Sequence, residues 1–456
     1  MPNSKHVLFL IDHKHRDLPS ASLIGHHLSK KGYIVKYCAY WQEDILMGQF
    51  NPEYIILGKP VYSYMKLAKW RAEGRKWIAL DVEGNPQDII YEMKVEMIPD
   101  MSIYWNNKEY SAYENYYRKK SGYFKPMPDL RVLGCPRIDF HHESLSHLFE
   151  SKEDILKRFD LSAKFKTITI ATSTQDSHFS AEKRANQAQT RDAVLSKSAD
   201  YSTIVRNMEI LRDNTERLIA LIANSSDDYN IVLKPHPNEN VIFWETLFHR
   251  LNFENARVMK GETINNLLAI SDIHIAHNVC TTTFEAMLHS IPTVEMHTFQ
   301  SSSLYEAEHL NLASYKIRDP EEISDILRNV FSASSSRAPL EFQRVNKYCE
   351  KNFGTFDGNR CQEYAKYIDE FIKANKGTKR TIISLILDYS IFFQYFVANR
   401  LRAFKWYIIR RIRGEKAPIS DDVTVTGNTD MRGRFDNRII PGDEELWLQK
   451  YKRHIG

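Results

Sequence analysis

Residues 231–239 of the chain read IVLKPHPNE. An apolar run ends there in Lys234 and His236, each followed by a proline. The residue before a proline is driven toward extended backbone, so both side chains are held where a strand would leave its sheet. Ligands of open α/β sheets bind beyond the carboxyl ends of the strands. A lysine and a histidine in that place suit a phosphate. A proline-rich turn with a solvated histidine accounts for the same residues.

Further segments carry chemistry of their own. Asp81 and Glu83, in DVEGNP at residues 81–86, follow the apolar run KWIAL. Paired carboxylates at a strand end, with Gly84 permitting a tight turn, suit general-base removal of a proton from a hydroxyl. A plain strand-to-helix turn has the same composition. Residues 277–285, HNVCTTTFE, place three threonines at the start of an expected helix. Thr282 and Glu285 have the spacing of a capping box. Thr281 and Thr283 are not needed for that cap, and a helix N-terminus is a ready anion site, so the trio is read as phosphate contact. In DHKHRD, residues 12–17, His13, His15, Arg16 and Asp17 form either a solvated loop or an anionic-substrate contact. The glycine and proline of LGCPRID, residues 133–139, suit a sharp interdomain connection, with Arg137 in reach of a cleft. Neither His13 nor His15 has metal-ligand spacing with a clear third partner, and no metal is expected.

These segments need a scaffold, and the pattern between them supplies one. Strand signals at 6–11, 33–37, 54–57, 76–80, 100–105 and 130–133 alternate with helical stretches. A second series at 167–171, 230–233, 256–259, 273–276 and 293–295 does the same. Such alternation indicates βαβ units and parallel sheets. The expected fold is α/β, with two Rossmann-like domains facing across a cleft and a helical C-terminal tail. The expected division is 1–150, 151–340, closing helices at 341–376 and a basic amphipathic tail at 377–456. Residues 173–202 read as a long polar loop or insertion.

Composition narrows the class. A chain of 456 residues exceeds one ordinary core. The net charge of +4 is small for that length, which gives no footprint for nucleic acid. Plentiful aromatics, 24 Tyr and 23 Phe, argue against a disordered chain. The five cysteines lack CxxC spacing, so reduced thiols in a cytoplasmic setting are the simplest account. No signal-peptide pattern and no run of about twenty uncharged apolar residues is present. Residues 382–412 are apolar and aromatic but interrupted by charge, and end in the basic WYIIRRIR. That combination fits a helix lying in an anionic membrane interface. A helical hairpin packed on the protein body, or an oligomer contact, also fits.

Taken together, the segments resemble bacterial surface carbohydrate biosynthesis proteins, a family of GT-B-type glycosyltransferases, over residues 6–373. The elements that carry the likeness are Arg16-Asp17-Leu18, Asp81-Val82-Glu83-Gly84, Gly134-Cys135-Pro136-Arg137-Ile138-Asp139, Lys234 to Asn240, and Asn278 to Thr282 with Glu285-Ala286. The acidic turn, the His-Pro pair and the Thr pair are also similar to those of CMP-sugar-dependent sialyl and Kdo transferases. The resemblance implies a metal-independent, inverting transferase. It would move a CMP-activated keto acid, such as Kdo or a nonulosonate, to a glycan or lipid-linked acceptor at the inner face of the cytoplasmic membrane. No cofactor beyond that donor is implied. Residues 1–150 would take the acceptor and 151–340 the nucleotide-sugar. The base would be Asp81 or Glu83, left open because Val82 stands where the family has an acid. His236 would bind or protonate the leaving phosphate. Lys234, Asn278, Thr281, Thr282, Thr283 and Glu285 would complete the nucleotide site, and Arg16, Asp17, Arg137 and Glu239 would contact substrate. Three other readings share the pattern: a CDP-polyol phosphotransferase of teichoic-acid type, with His13 or His15 as its second histidine element, a nucleotide-sugar 2-epimerase, and a non-catalytic membrane scaffold.

Overall fold

The computed structural model describes residues 5–58, 64–81, 98–120, 127–185, 201–225, 228–237, 239–277, 280–298, 315–332, 339–375, 393, 397, 401 and 443–454. Strands β1 (His6–Ile11), β2 (Ile34–Ala39), β3 (Tyr54–Leu57), β4 (Lys76–Leu80), β5 (Met101–Tyr104) and β6 (Asp129–Val132) form one six-stranded sheet. Strands β7 (Lys166–Ala171), β8 (Tyr229–Lys234), β9 (Ala256–Val258), β10 (Ile273–His277), β11 (Thr293–Met296) and β12 (Tyr315–Ile317) form a second. Every pairing is parallel. Parallel sheets are covered on both faces, so their strands carry unbroken apolar runs. Trp77 on β4 and Ile231, Val232 and Leu233 on β8 are fully buried accordingly. The eleven strands expected from the sequence are all present, and β12 is an addition. It spans only three residues, too few for a period to show.

The first sheet runs β2-β1-β3-β4-β5-β6 and the second β12-β11-β10-β7-β8-β9. Counted along the chain, the second order is 3-2-1-4-5-6 and the first is 2-1-3-4-5 with one strand added, the two doubly wound arrangements.

The contacts divide the chain differently from the expected boundaries. One unit comprises Met1–Pro136 with Arg360–Gly456, and the other Arg137–Asn359. The break after Pro136 falls inside the LGCPRID connection. The expected closing helices separate. Helix Pro339–Asn352 stays with the second unit, where Tyr348 meets Phe284. Helix Arg360–Ala374 belongs to the first, because Tyr364 Oη donates to Gly134 O at 2.7 Å and Asp369 accepts from Tyr33 Oη at 2.8 Å.

Helix Lys14–Lys30 follows β1, and Gly32 at φ +89° takes the left-handed conformation past its end. The end of the chain returns to this helix. In helix Asp443–His454, Tyr451 Oη donates to Pro19 O at 2.8 Å, and Asp443 pairs with Lys14 at 2.6 Å. The sequence assigned that last segment no role. Among the described residues, no helix is long and apolar enough to cross a membrane.

Candidate functional site

In the second unit the loops after β7, β8 and β10 gather at the carboxyl ends of the strands. The order of this sheet puts its switch point between β7 and β10. His277 stitches that point. Thr215 spends its hydroxyl proton on Leu211 O at 2.7 Å, so it accepts from His277 Nε2–H at 2.8 Å. The opposite ring nitrogen, Nδ1, then accepts the Ser173 N–H at 3.3 Å. Burial holds this histidine down to about 4, neutral as that tautomer requires.

The Pro-flanked segment is shaped by Glu239. Its carboxylate is 5% exposed and accepts from Thr172 Oγ1 at 2.6 Å, from Trp244 Nε1 at 2.9 Å and from the Thr174 N–H. Burial raises its pKa, and the donors pull it back only in part. The Glu239 N–H closes the turn onto His236 O at 2.8 Å. Asn240 then caps helix Val241–Arg250 by accepting from the Ile242 N–H. Glu239 therefore fastens the loop after β7 to the loop after β8.

Lys234 ends β8. Its Nζ donates to Glu262 O at 2.6 Å, and among the described residues no carboxylate lies within ion-pair distance of it. The Glu262 carboxylate is itself engaged by Arg158 at 2.6 Å and by Asn266 at 2.9 Å. Burial pulls the Lys234 ammonium down to about 8, against the smaller upward pull of Glu262, Cys280 and Glu285. Pro235 is buried and His236 half-buried.

Helix Thr281–Leu288 begins two residues earlier than a Thr282 cap requires. Its N-cap is Cys280, which provides no side-chain cap. The expected Thr282–Glu285 capping box is not formed, and the three threonines divide. Thr283 is buried and hydrogen-bonds Glu295 on β11. Thr282 Oγ1 lies 3.1 Å from Nε2 of the buried His274, whose Nδ1 is 2.9 Å from Thr169 Oγ1. Glu285 is buried too, with His141 Nε2 at 3.9 Å. Burial and the neighbouring His289 hold His141 well below its ordinary range, so that approach is not an ion pair. Successive helical residues are about 100° apart around the axis, which is why adjacent threonines meet different partners. Thr281, half-buried in the first turn, remains beside the uncapped N–H groups. Asn278 and Asn238 lie outside the described residues.

In the first unit, Arg16 and Asp17 bind each other. Arg16 Nε reaches Asp17 Oδ1 at 2.7 Å, Nη2 reaches Asp17 Oδ2 at 3.0 Å, and Nη2 also reaches Asp12 Oδ2 at 3.2 Å. Asp17 Oδ2 accepts the His13 N–H at 3.0 Å, so this buried carboxylate organises the first turn of the helix. The expected loop over residues 14–17 is therefore helical, and the pair is internal. Arg137 is half-buried in the short 3₁₀ segment Pro136–His141 of the second unit.

Asp81 follows β4 directly. Its N–H donates to Ile103 O at 2.9 Å, and its carbonyl accepts Trp105 Nε1 at 2.9 Å. Glu83 lies outside the described residues. Glu109, not among the candidates the sequence offered, is buried, and its Oε2 accepts the Trp105 N–H at 3.3 Å. Its signal was the spacing Asn106-x-x-Glu109, which reads as a helix cap and is partly used as one: the Glu109 N–H donates to Asn106 Oδ1 at 3.0 Å.

No protein-family model and no curated protein matches the chain. Solved structures do match. The wall teichoic acid polymerase TagF superposes with a TM-score of 0.51 at 13% identity, over 82% of this chain and 90% of that one. The chain has the GT-B fold class. A UDP-GlcNAc 2-epimerase from Neisseria meningitidis bound to UDP-GlcNAc gives 0.48 at 12% identity, over 81% and 100% of the two chains. A glycosyltransferase from Rickettsia africae gives 0.45 at 11%, over 82% and 100%. At such identities the likeness is one of fold, and activity has to be argued from the residues.

Proposed function

We propose that the chain is a glycosyltransferase of surface-polysaccharide synthesis that uses a CMP-activated keto acid, such as Kdo or a nonulosonate, and inverts its anomeric carbon. The observation that carries this reading is Lys234: a half-buried lysine at the carboxyl end of a strand, its ammonium bonded to a carbonyl and paired with no carboxylate among the described residues. A cation drawn out of water without an anion is costly. A phosphate supplied by a ligand removes that cost.

The remaining roles follow from charge. Lys234, His236, Thr281 and the uncapped N–H groups of helix Thr281–Leu288 hold the leaving phosphate. They supply positive character where negative charge builds, which is the work a metal would otherwise do. Asp81, or Glu83 two residues on, takes the proton of the acceptor hydroxyl. Thr282, Thr283, Glu285, Glu239 and the Arg16–Asp17 pair are assigned to shaping the two regions. The acceptor is a glycan or a lipid-linked glycan. A peripheral membrane contact through the tail is supported by Phe393, Val397 and Leu401, which are helical, four residues apart and 64%, 38% and 63% exposed.

Thermal unfolding with CMP, CDP, UDP and GDP tests the donor class. Selective stabilisation by the cytidine nucleotides is expected, worth about 2.7 kcal/mol at a hundredfold excess over Kd. Turnover of CMP-sugars against CDP-polyols and UDP-sugars then separates this reading from the phosphotransferase and the epimerase. Stabilisation by UDP alone, or a product that retains configuration, overturns it.

A further inference from the structure

His297 is a polar residue at a strand exit that the proposed mechanism leaves unused. It follows β11 directly, and its N–H donates to Ile317 O at 2.9 Å. The residue is 9% exposed, and its ring Nε2 is sealed from solvent with no hydrogen-bond partner among the described residues. Buried polar atoms are nearly always bonded, so an orphan of this kind marks a missing partner.

The strand fixes which way the ring points, because side chains alternate between the two faces of a sheet. Met296 lies on the face of helix Tyr201–Ala223, with its Sδ 3.9 Å from Thr215 Oγ1, and Thr298 reaches Asn207 of the same helix. Glu295 lies on the opposite face, where it accepts from Thr283 of helix Thr281–Leu288. His297, between Met296 and Thr298, shares the face of Glu295. Two strand residues advance about 6.6 Å. Thr281 is only about 3 Å from Thr283 along the helix axis. The His297 ring therefore borders the space just past the uncapped start of that helix. Lys234 belongs to the same face. On β8, Ile231 and Leu233 pack with Leu211 and Leu218 of helix Tyr201–Ala223, whereas Val232 packs with Ile155 and Leu267. Alternation then puts Lys234 on the side of Val232, away from helix Tyr201–Ala223.

We propose that His297 is a further phosphate-binding residue of the donor site: its Nε2–H donates to a phosphate oxygen held at the N-terminus of helix Thr281–Leu288, on the face shared with Lys234. This rests on that terminus taking the phosphate of a nucleotide. Neutral imidazole carries hydrogen on one nitrogen, and an anion selects the tautomer with hydrogen on Nε2. Burial lowers the His297 pKa, and Lys316 and Arg318 act in the same direction, so the ring meets the ligand neutral. A neutral donor adds a hydrogen bond without placing a second cation beside Lys234.

The test titrates the full chain with CMP, UMP and cytidine. His297→Leu should lose about tenfold in mononucleotide affinity and nothing in cytidine affinity. His297→Gln keeps a donor near the Nε2 position and should stay within about threefold of wild type. In the wild type labelled with nitrogen-15 histidine, the His297 Nε2 resonance should move on adding CMP or inorganic phosphate and stay in place with cytidine. That measurement needs no variant to fold. An unmoved resonance with mononucleotide bound overturns the proposal. So does an unchanged affinity in His297→Leu, or an equal loss for CMP and cytidine, which is the mark of a merely structural role. A wild type that prefers UMP sinks the cytidine donor instead, and the His297 results are then read with UMP. A wild type that binds neither mononucleotide overturns both.

Discussion

Replacing Glu239 by alanine would leave Thr172 Oγ1–H, the Thr174 N–H and Trp244 Nε1–H buried together without their acceptor. A hydrogen bond to a charged group contributes about 1.5–3 kcal/mol, and an orphaned buried donor costs a similar amount. The three contributions do not add fully, because the donors share one site and relax together. The expected loss is therefore about 3–5 kcal/mol, the range for removing one partner of a buried charged contact. Glutamine gives a sharper test. With its carbonyl toward Thr172 and Trp244, its amide faces the Thr174 N–H, donor against donor. Glu239→Gln should cost about 1–3 kcal/mol. Guanidinium unfolding, followed by fluorescence and by circular dichroism, measures both variants. A double-mutant cycle with Thr172→Val should return a coupling of about 0.5–3 kcal/mol. A Glu239→Ala protein within about 0.5 kcal/mol of wild type, the range of an ordinary surface substitution, would refute the argument. If nucleotide affinity fell in that unchanged protein, Glu239 would return to the role of substrate contact.

Two further predictions concern the phosphate end. Folding lowers the Lys234 pKa to about 8, so below that pH the folded chain bears the full cost of keeping the ammonium charged, and the cost fades as pH rises from there toward the ordinary lysine value. Lys234→Met should therefore not destabilise the protein around pH 6, although it should abolish phosphate binding. An arriving phosphate should raise the pKa again. Calorimetry in buffers of different ionisation enthalpy should detect proton uptake on nucleotide binding near pH 8, fading toward pH 6; uptake independent of pH would count against Lys234 as the partner. The threonines should separate by phenotype. Thr283→Val removes a hydroxyl buried against Glu295 and should cost about 1–3 kcal/mol of stability with affinity unchanged. Thr281→Ala should do the opposite, losing about tenfold in nucleotide affinity with stability unchanged. The same phenotype from both would show that the trio acts as one cluster.

The sheets were legible in the sequence because a strand buried on both faces must be written in apolar residues. KWIAL and YNIVLK announce themselves, and the residue that follows or ends each run lies at a strand exit. Asp81 and Lys234 were found that way. What those side chains meet was not legible, because the partners are distant in the chain. Glu239 in PHPNE looks like a polar loop residue free to contact a substrate. It is a buried anchor because Thr172, 67 residues earlier, reaches it. In TTT the types are identical and only helix phase decides, so a start displaced by two residues exchanges capping and packing roles. Helix Arg360–Ala374 joins the first unit through Tyr364 and Asp369, two residues whose local pattern says nothing of where the helix docks.

The two sheet orders explain why the candidate base leaves β4 and not the switch point of its own sheet. In the first unit the order reverses between β1 and β3. The β1 exit there is occupied by an internal set: Arg16 bound by Asp17 and Asp12, with Asp17 also accepting from the first turn of the following helix. A carboxylate bound twice by a guanidinium is a poor base, since the cation stabilises the form that must accept the proton. Asp81 differs in kind. The described clamps on Asp81 act on its backbone, through Ile103 and Trp105. Asp81 leaves its strand on a backbone held from both sides, and a fixed carboxylate is what general-base chemistry asks for.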